Sequence, residues 1–131
     1  MYNKTNIKDE IDMISKETME IVTGFRDERD WAQFHNPKDL ALSISLEAAE
    51  LLEVFQWSGD DLICEDKLDK IKEELADVLC YSILMADRCG LDMDAIIREK
   101  MKKNGTKYPA ELSRGHKEKY TELKALNRKE Q

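Results

Sequence analysis

Apolar residues recur at three- and four-residue steps along most of the chain, which is the periodicity of amphipathic helices. This pattern predicts a first helix from about residue 6 to about residue 28, with Thr5 or Asn6 as its N-cap. A second helix is predicted over 37–57, because Asn36 is a favoured cap and proline is favoured at the first helical position.

Two further helices follow from the same periodicity. The third is predicted from about residue 64 to about residue 88, where Gly90 ends the pattern. The fourth is predicted over 93–104 with Asp92 as its cap. Beyond it the chain is expected to be irregular and basic, with a helical tendency again near 117–126.

The four helices indicate one all-α domain. Hydrophobic residues make up 41% of the chain and charged residues 37%, with only 5 Gly and 2 Pro, a composition that favours helices over a turn-rich sheet protein. No repeat or linker divides the sequence. We therefore predict a single four-helix bundle domain over 1–131, with a core at about 6–110 and a basic tail at 111–131.

Membrane and disulfide classes are disfavoured. No apolar run approaches the roughly 20 residues that cross a bilayer, and the N-terminal segment lacks the apolar stretch of a secretion signal. Cys64, Cys80 and Cys89 are odd in number and form no CxxC, so we expect reduced and mostly buried thiols. These features predict a cytoplasmic protein.

Charge is distributed unevenly along the chain. The net charge of -7 argues against binding of nucleic-acid polymers. Segment 47–77 carries 11 acids and 3 bases, whereas segment 98–131 carries 11 bases and 5 acids. The first segment is suited to cations and the second to anions.

Two acidic pairs interrupt the apolar stripes of the second and third helices. Glu47 and Glu50 are three residues apart, and Glu74 and Asp77 repeat that spacing, so each pair shares one helical face. If the two helices are antiparallel neighbours, the pairs face each other across a partly dry groove. An unpaired, desolvated carboxylate costs several kcal/mol, so either protons or a cation must neutralise the cluster. Oxygen ligands alone suit Mg²⁺ or Mn²⁺. The competing interpretation is a solvated acidic helix face.

The sequence resembles the MazG-like all-α nucleoside triphosphate pyrophosphohydrolases, in which ExxE on one helix is followed by ExxD on the next. Within this family, the sequence more specifically resembles the dCTP pyrophosphatase branch. The resemblance covers roughly residues 25–123. It is carried by the blocks ERDWAQFHNPKDL, EAAELLEVFQW, EELADVLCYSILMADRCGLD, KMKKNGTKYP and LSRG.

This resemblance implies a Mg²⁺-dependent enzyme that cleaves a nucleoside triphosphate, with dCTP or a modified dCTP as candidate substrates, to a monophosphate and pyrophosphate. The implied metal ligands and catalytic residues are Glu47, Glu50, Glu74 and Asp77. A bound metal polarises the α-phosphoryl group and activates water. Glu50 is our candidate for the carboxylate that accepts the proton of that water.

Other residues in these blocks are candidates for substrate binding. Trp31, His35 and Trp57 offer flat faces or ring donors for a base, and Tyr81 lies one turn beyond Asp77, within reach of a phosphate. Each is also compatible with ordinary packing or local hydrogen bonding.

The basic stretch after the third helix resembles the KxxxNxx(R/K)YP pattern of the family. The resemblance implies that the β and γ phosphates are bound by Lys100, Asn104, Lys107 and Tyr108. Relatives often have arginine where this chain has Lys107. The compact ammonium group of lysine therefore replaces a guanidinium group that can donate two parallel hydrogen bonds.

The family also implies a homotetramer or homodimer, with Leu42, Leu46 and Met85 as candidate contact residues. Two alternatives stay open at the level of sequence. One is a non-catalytic acidic helical module that binds a basic partner or metal, and the other is a phosphoribosyl-ATP-type diphosphohydrolase.

Overall fold

The computed structural model describes residues 14–117 together with 121, 122, 125 and 128, and every regular element within them is helical. The all-α prediction is therefore confirmed, while the number of helices in the bundle and its assembly stay predictions. The α-helices with defined bounds are α1 (Lys16–Glu28), α2 (Pro37–Glu53), α3 (Leu68–Arg88), α4 (Met93–Lys107) and α5 (Ala110–Ser113). Short 3₁₀ helices cover Ala32–Phe34 and Glu65–Lys67.

Helix α1 begins later than the apolar pattern predicts. Ser15 has an extended backbone, and its side chain accepts a hydrogen bond of 3.1 Å from the backbone N–H of Thr18. Ser15 therefore acts as the N-cap and the helix starts at Lys16, so an uninterrupted helix over 6–28 is wrong. The predicted caps Thr5 and Asn6 lie outside the described residues.

Helix α2 starts as predicted and ends earlier. Asn36 caps it by accepting a 2.9 Å hydrogen bond from the backbone N–H of Asp39, and Pro37 follows directly. The helix ends at Glu53 because the next amides bond three residues back, as in Phe55 N–H to Leu52 O at 3.0 Å. The predicted end at residue 57 is therefore wrong.

Helix α3 is preceded by a left-handed residue. Cys64 has φ of 51°, so a continuous helix cannot start there, and a 3₁₀ turn leads into Leu68 instead. The predicted end is confirmed, since α3 finishes at Arg88 and Gly90 follows with φ of 66°.

The basic half of the chain is more helical than predicted. Helix α4 extends through Gly105 to Lys107, where we expected irregular chain. Helix α5, over Ala110–Ser113, was not predicted. The tendency predicted for 117–126 falls largely outside the described residues.

The helices separate into two compact units, Met1–Met93 and Asp94–Gln131. The single-domain organisation stays a prediction. In the first unit α2 packs along α3, and α1 also contacts α3. Lys67 Nζ donates a 3.2 Å hydrogen bond to the Val54 carbonyl, which joins the end of α2 to the start of α3. Because the two helices also pack along each other, they run antiparallel. The buried apolar residues are Leu40, Val54, Cys64, Ile83, Leu84 and Ala86.

An arginine clamp holds α1 against the end of α3. Arg26 donates hydrogen bonds of 2.6 Å to Asp87 and 2.8 Å to Asp27, and its side chain is largely buried. The guanidinium lowers the pKa of Asp27 below its ordinary value. The clamp therefore ties the last turn of α1 to the last turn of α3.

The three thiols are free, and only Cys64 is buried, because Cys80 is half-buried and Cys89 is exposed at the end of α3. The expectation of mostly buried thiols is therefore wrong. Within the described part of the chain, no helix combines the length and the apolar character needed to cross a membrane.

Candidate metal and nucleotide site

The antiparallel packing of α2 on α3 brings the two acidic pairs together. Glu47 and Glu50 on α2 and Glu74 and Asp77 on α3 each offer one oxygen, and these four oxygens all lie within 4.8 Å of one another. We call this group the four-carboxylate cluster. Each pair reaches the shared groove because a three-residue step keeps its two side chains on one helical face.

Two oxygens of the cluster are buried and lack partners. Glu74 is only 5% exposed and Glu47 is half-buried. The Oε2 atom of each has no hydrogen-bond partner in the described structure. Because a buried anionic oxygen without a donor is costly, the cluster calls for protons or a cation.

The negative charge of the cluster is partly neutralised by a proton on Glu50 and by the neighbouring Lys70. Glu50 can share a proton with Glu74, and this hydrogen bond together with the negative charge of Glu47 raises the pKa of Glu50 to about 7. Glu74 stays ionised, because Lys70 Nζ lies 2.8 Å from its Oε1 and lowers its pKa. In the absence of a metal ion, Glu50 therefore keeps its proton to a higher pH than an ordinary glutamate does, and Lys70 places a positive charge beside Glu74.

This raised pKa predicts how the stability of the metal-free protein depends on pH. Between the ordinary value of 4.5 and about 7, folded Glu50 holds a proton that the unfolded chain has lost. The free energy of unfolding therefore falls as pH rises through that window. We expect urea unfolding in chelator to show this fall in the wild type and a smaller fall in Glu50→Gln. A stability difference between the two proteins that is constant across the window would contradict the assignment.

The donor set fits a hard divalent cation. All four groups supply oxygen, the ligand type preferred by Mg²⁺ and Mn²⁺, and the unpartnered Oε2 atoms of Glu47 and Glu74 are the acceptors that an ion would satisfy. The cluster contains no histidine or cysteine, so its chemistry is not that of a zinc site.

An apolar pocket of about 310 Å³ opens beside the cluster. Its lining includes three predicted site residues, Trp31, His35 and Tyr81, as well as Asp77 of the cluster. The remaining lining residues are Ile21, Val22, Phe25, Arg26, Cys80 and Leu84. This volume lies at the lower end of small-ligand sites, and the mixture of apolar walls with a few polar groups is typical of them.

The connector between α1 and α2 supplies the aromatic wall of this pocket. Trp31 N–H bonds to the Arg26 carbonyl at 3.1 Å, and the Trp31 ring packs edge-on against Phe25 with ring centroids 5.8 Å apart. His35 follows the 3₁₀ turn, and its ring centroid lies 6.5 Å from that of Tyr81. The buried His35 Nδ1 has no hydrogen-bond partner in the described structure, so it can serve a ligand.

A polar groove of about 530 Å³ lies next to the same cluster. It shares Glu50 and Glu74 with the cluster, whereas the apolar pocket shares Asp77. The other residues that line the groove are Glu53, Val54, Lys67 and Lys70. Asp77 of the cluster therefore borders the apolar pocket, whereas Glu50 and Glu74 border the charged groove.

The other predicted substrate residues are Trp57 in the first compact unit and four residues in the second. Trp57 is 86% exposed in the turns after α2 and does not line the apolar pocket. Lys100, Asn104 and Lys107 are on α4, and Tyr108 follows it, in the second compact unit. Within that unit Lys107 Nζ lies 5.6 Å from the centroid of the Tyr108 ring. The roles of these residues stay predictions.

Several residues of the site were not found by sequence reasoning. Lys70 could have been found, since it stands four residues before Glu74, the spacing of helical ion pairs. Phe25, Arg26 and Cys80 were not identified as site residues, because their place in the pocket depends on how α1 packs on α3.

Fold and site together define an all-α protein with two acidic pairs on antiparallel helices beside a small apolar pocket. The sequence pattern of the MazG-like family matches residues 42–123. This match covers more than half of the chain, and the chain belongs to the MazG-like family.

The chain is also similar to individual proteins. The dCTP pyrophosphatase 1 proteins of Rattus norvegicus and Homo sapiens are each 41% identical to it over 104 residues, which cover 76% of this chain and 61% of the relative. The chain thus spans less than two thirds of the length of these relatives. A crystal structure of a pyrophosphatase from Archaeoglobus fulgidus matches with a TM-score of 0.67 and 41% identity, covering 72% of this chain and 91% of that one.

Proposed function

We propose that this protein is a nucleotide pyrophosphohydrolase that cleaves a nucleoside triphosphate between the α and β phosphates, with dCTP or a modified dCTP as the candidate substrate. The observation that carries the proposal is the contact between the four-carboxylate cluster and the apolar pocket, made through Asp77. The names of the similar dCTP pyrophosphatases and of the archaeal pyrophosphatase support it.

The apolar pocket binds the nucleoside of the substrate, and the four-carboxylate cluster binds its α phosphate. The nucleoside lies in the apolar pocket, where Trp31 stacks on the base and His35 Nδ1 hydrogen-bonds to it. Because Asp77 borders both regions, the α phosphate lies at the cluster, and the Tyr81 hydroxyl contacts it. The lysines predicted to meet the β and γ phosphates are Lys100 and Lys107.

Hydrolysis needs a proton acceptor at the attacking water. Water oxygen forms a bond to the α phosphorus, the bond to the bridging oxygen breaks, and pyrophosphate leaves. The proton of the water goes to Glu50, our candidate for the general base. Glu47, Glu50, Glu74 and Asp77 would hold Mg²⁺, which when bound neutralises phosphate charge and polarises the α-phosphoryl group.

The protein is proposed to act as a homodimer or homotetramer. Many large apolar side chains of α2 and α3 are exposed in a single chain, including Leu42, Leu46, Leu52 and Leu75. Apolar surface of this extent on a helical hairpin is typical of a subunit contact. Sedimentation at micromolar concentration tests this proposal, and a fully active monomer contradicts it.

A substrate panel tests the reaction. The protein is incubated with each standard and several modified deoxynucleoside triphosphates, with Mg²⁺ and separately with chelator, and the products are separated. We expect monophosphate and pyrophosphate with Mg²⁺ and no turnover in chelator. Release of diphosphate and orthophosphate would contradict cleavage between the α and β phosphates, and no turnover of any nucleotide would contradict the proposed function.

The aromatic wall gives a prediction about binding. Stacking of a base on an aromatic ring contributes about 1 to 3 kcal/mol, so Trp31→Ala is expected to raise KM for the preferred triphosphate about 5- to 150-fold with a smaller change in kcat. Phe34→Ala is the matched control, because Phe34 is in the same connector, is exposed, and does not line the pocket. Equal KM values for the two variants would contradict the stacking role.

A further inference from the structure

A lysine contacts the four-carboxylate cluster from the side of the polar groove. Lys70 Nζ lies 2.8 Å from Glu74 Oε1 and 3.5 Å from Glu73 Oε2. The side chain of Lys70 is 59% exposed, whereas that of Glu74 is 6% exposed. The ion pair therefore joins a buried, fixed carboxylate to an ammonium group that solvent reaches.

Glu74 contacts Lys70 through Oε1, and its unpartnered Oε2 is the atom open to a divalent ion, so both cations would lie on one carboxylate. It is one of the four groups whose oxygens lie within 4.8 Å of one another, and it is the innermost of them. A divalent ion held by these oxygens would lie close to an ammonium group on the same carboxylate. Like charges at such short distance repel, so the ion and the Lys70 contact compete.

The ammonium group of Lys70 has a second ion-pair partner when its contact with Glu74 is lost. Its flexible stem lines the polar groove beside Glu53 and Lys67, and Glu73, with a side chain 72% exposed, is already a second partner on the solvent side. The ammonium group can therefore leave Glu74 without giving up all of its ion pairing.

We propose that Lys70 is a built-in counter-cation of the metal-free cluster, which a divalent ion displaces from Glu74. Competition with this lysine then sets the metal affinity of the site. The proposal rests on the proposed function only in taking the cluster as the metal site, and it concerns the binding step before any nucleotide is present.

Titration of the full chain with Mn²⁺, without nucleotide, tests the proposal. Free Mn²⁺ is followed by electron paramagnetic resonance at pH about 8.5, where protons compete little with the metal. We expect Lys70→Met to bind Mn²⁺ about three- to tenfold more tightly than the wild type, and Lys70→Arg to bind like the wild type. If Lys70→Met does not fold, Lys70→Gln carries the same expectation.

Lys72→Met is the matched control. It removes the same charge two residues further along α3, from a side chain that is 69% exposed and lies 3.9 Å from Asp69 instead of a cluster residue. Its Mn²⁺ affinity is expected to change by less than about twofold, because water and salt screen the longer distance.

Unfolding gives a second readout that separates a counter-cation from an ordinary surface pair. In chelator, Lys70→Met is expected to unfold at lower urea concentration than the wild type, and saturating Mn²⁺ is expected to remove that difference. Unchanged or weaker Mn²⁺ binding by Lys70→Met, or an equal gain in Lys72→Met, overturns the proposal. A protein that binds Mn²⁺ as expected and hydrolyses no nucleotide overturns the proposed function instead.

Discussion

Glu50→Gln is expected to lower kcat/KM for the preferred triphosphate by at least about 100-fold while leaving the fold intact. Glutamine has nearly the same shape as glutamate, but it has no negative charge for a metal and cannot accept the proton of the attacking water. Loss of a general base alone costs about 100- to 10,000-fold. Steady-state kinetics at saturating Mg²⁺ measures the effect.

A stability measurement separates this loss of activity from damage to the fold. Glu50 lies among carboxylates that raise its pKa, so removing its charge relieves repulsion in the metal-free protein. Glu50→Gln should therefore be at least as stable as the wild type in chelator above pH 7. An inactive variant that is also unfolded would not support the catalytic role.

Glu53→Gln is the matched control for this variant. Glu53 is one more three-residue step along α2, is exposed and lines the polar groove, but is not among the four clustered acids. The same chemical change there is expected to alter kcat/KM by less than about threefold. Equal losses in the two variants would show that the negative charge of the region as a whole, and not the cluster, supports activity.

Leu40→Ala is expected to reduce the free energy of unfolding by about 2 to 5 kcal/mol. Leu40 lies in the first turn of α2 and is 1% exposed, so truncation removes apolar contacts and leaves a cavity that its neighbours fill only in part. Urea unfolding of the metal-saturated protein, monitored by circular dichroism, measures the change.

Leu62→Ala makes the same deletion at a residue that is 83% exposed in the connection between α2 and α3. We expect it to change the free energy of unfolding by less than about 0.5 kcal/mol. If the two leucine variants unfold at the same urea concentration, the hydrophobic core is not where the structure places it.

Local sequence determined the parts of the fold that depend on neighbouring residues. Asn36 followed by proline predicted the start of α2, and Gly90 predicted the end of α3, because caps and left-handed turns are set within a few residues. The same locality explains the error at α1. Ser15 is also a favoured N-cap, and the helix starts at Lys16. The apolar periodicity continues before Ser15, so the pattern alone did not reveal this start.

The sequence by itself determined that Glu47 and Glu50 share one face of a helix and that Glu74 and Asp77 share another, because helical spacing alone decides this. Only the tertiary structure decided that the two faces meet within 4.8 Å, that Trp31 and His35 reach the same pocket as Tyr81, and that Trp57 does not. The physical reason is that side chains on separate elements come together through packing of the whole hairpin and of α1 on α3, and no local pattern records that packing.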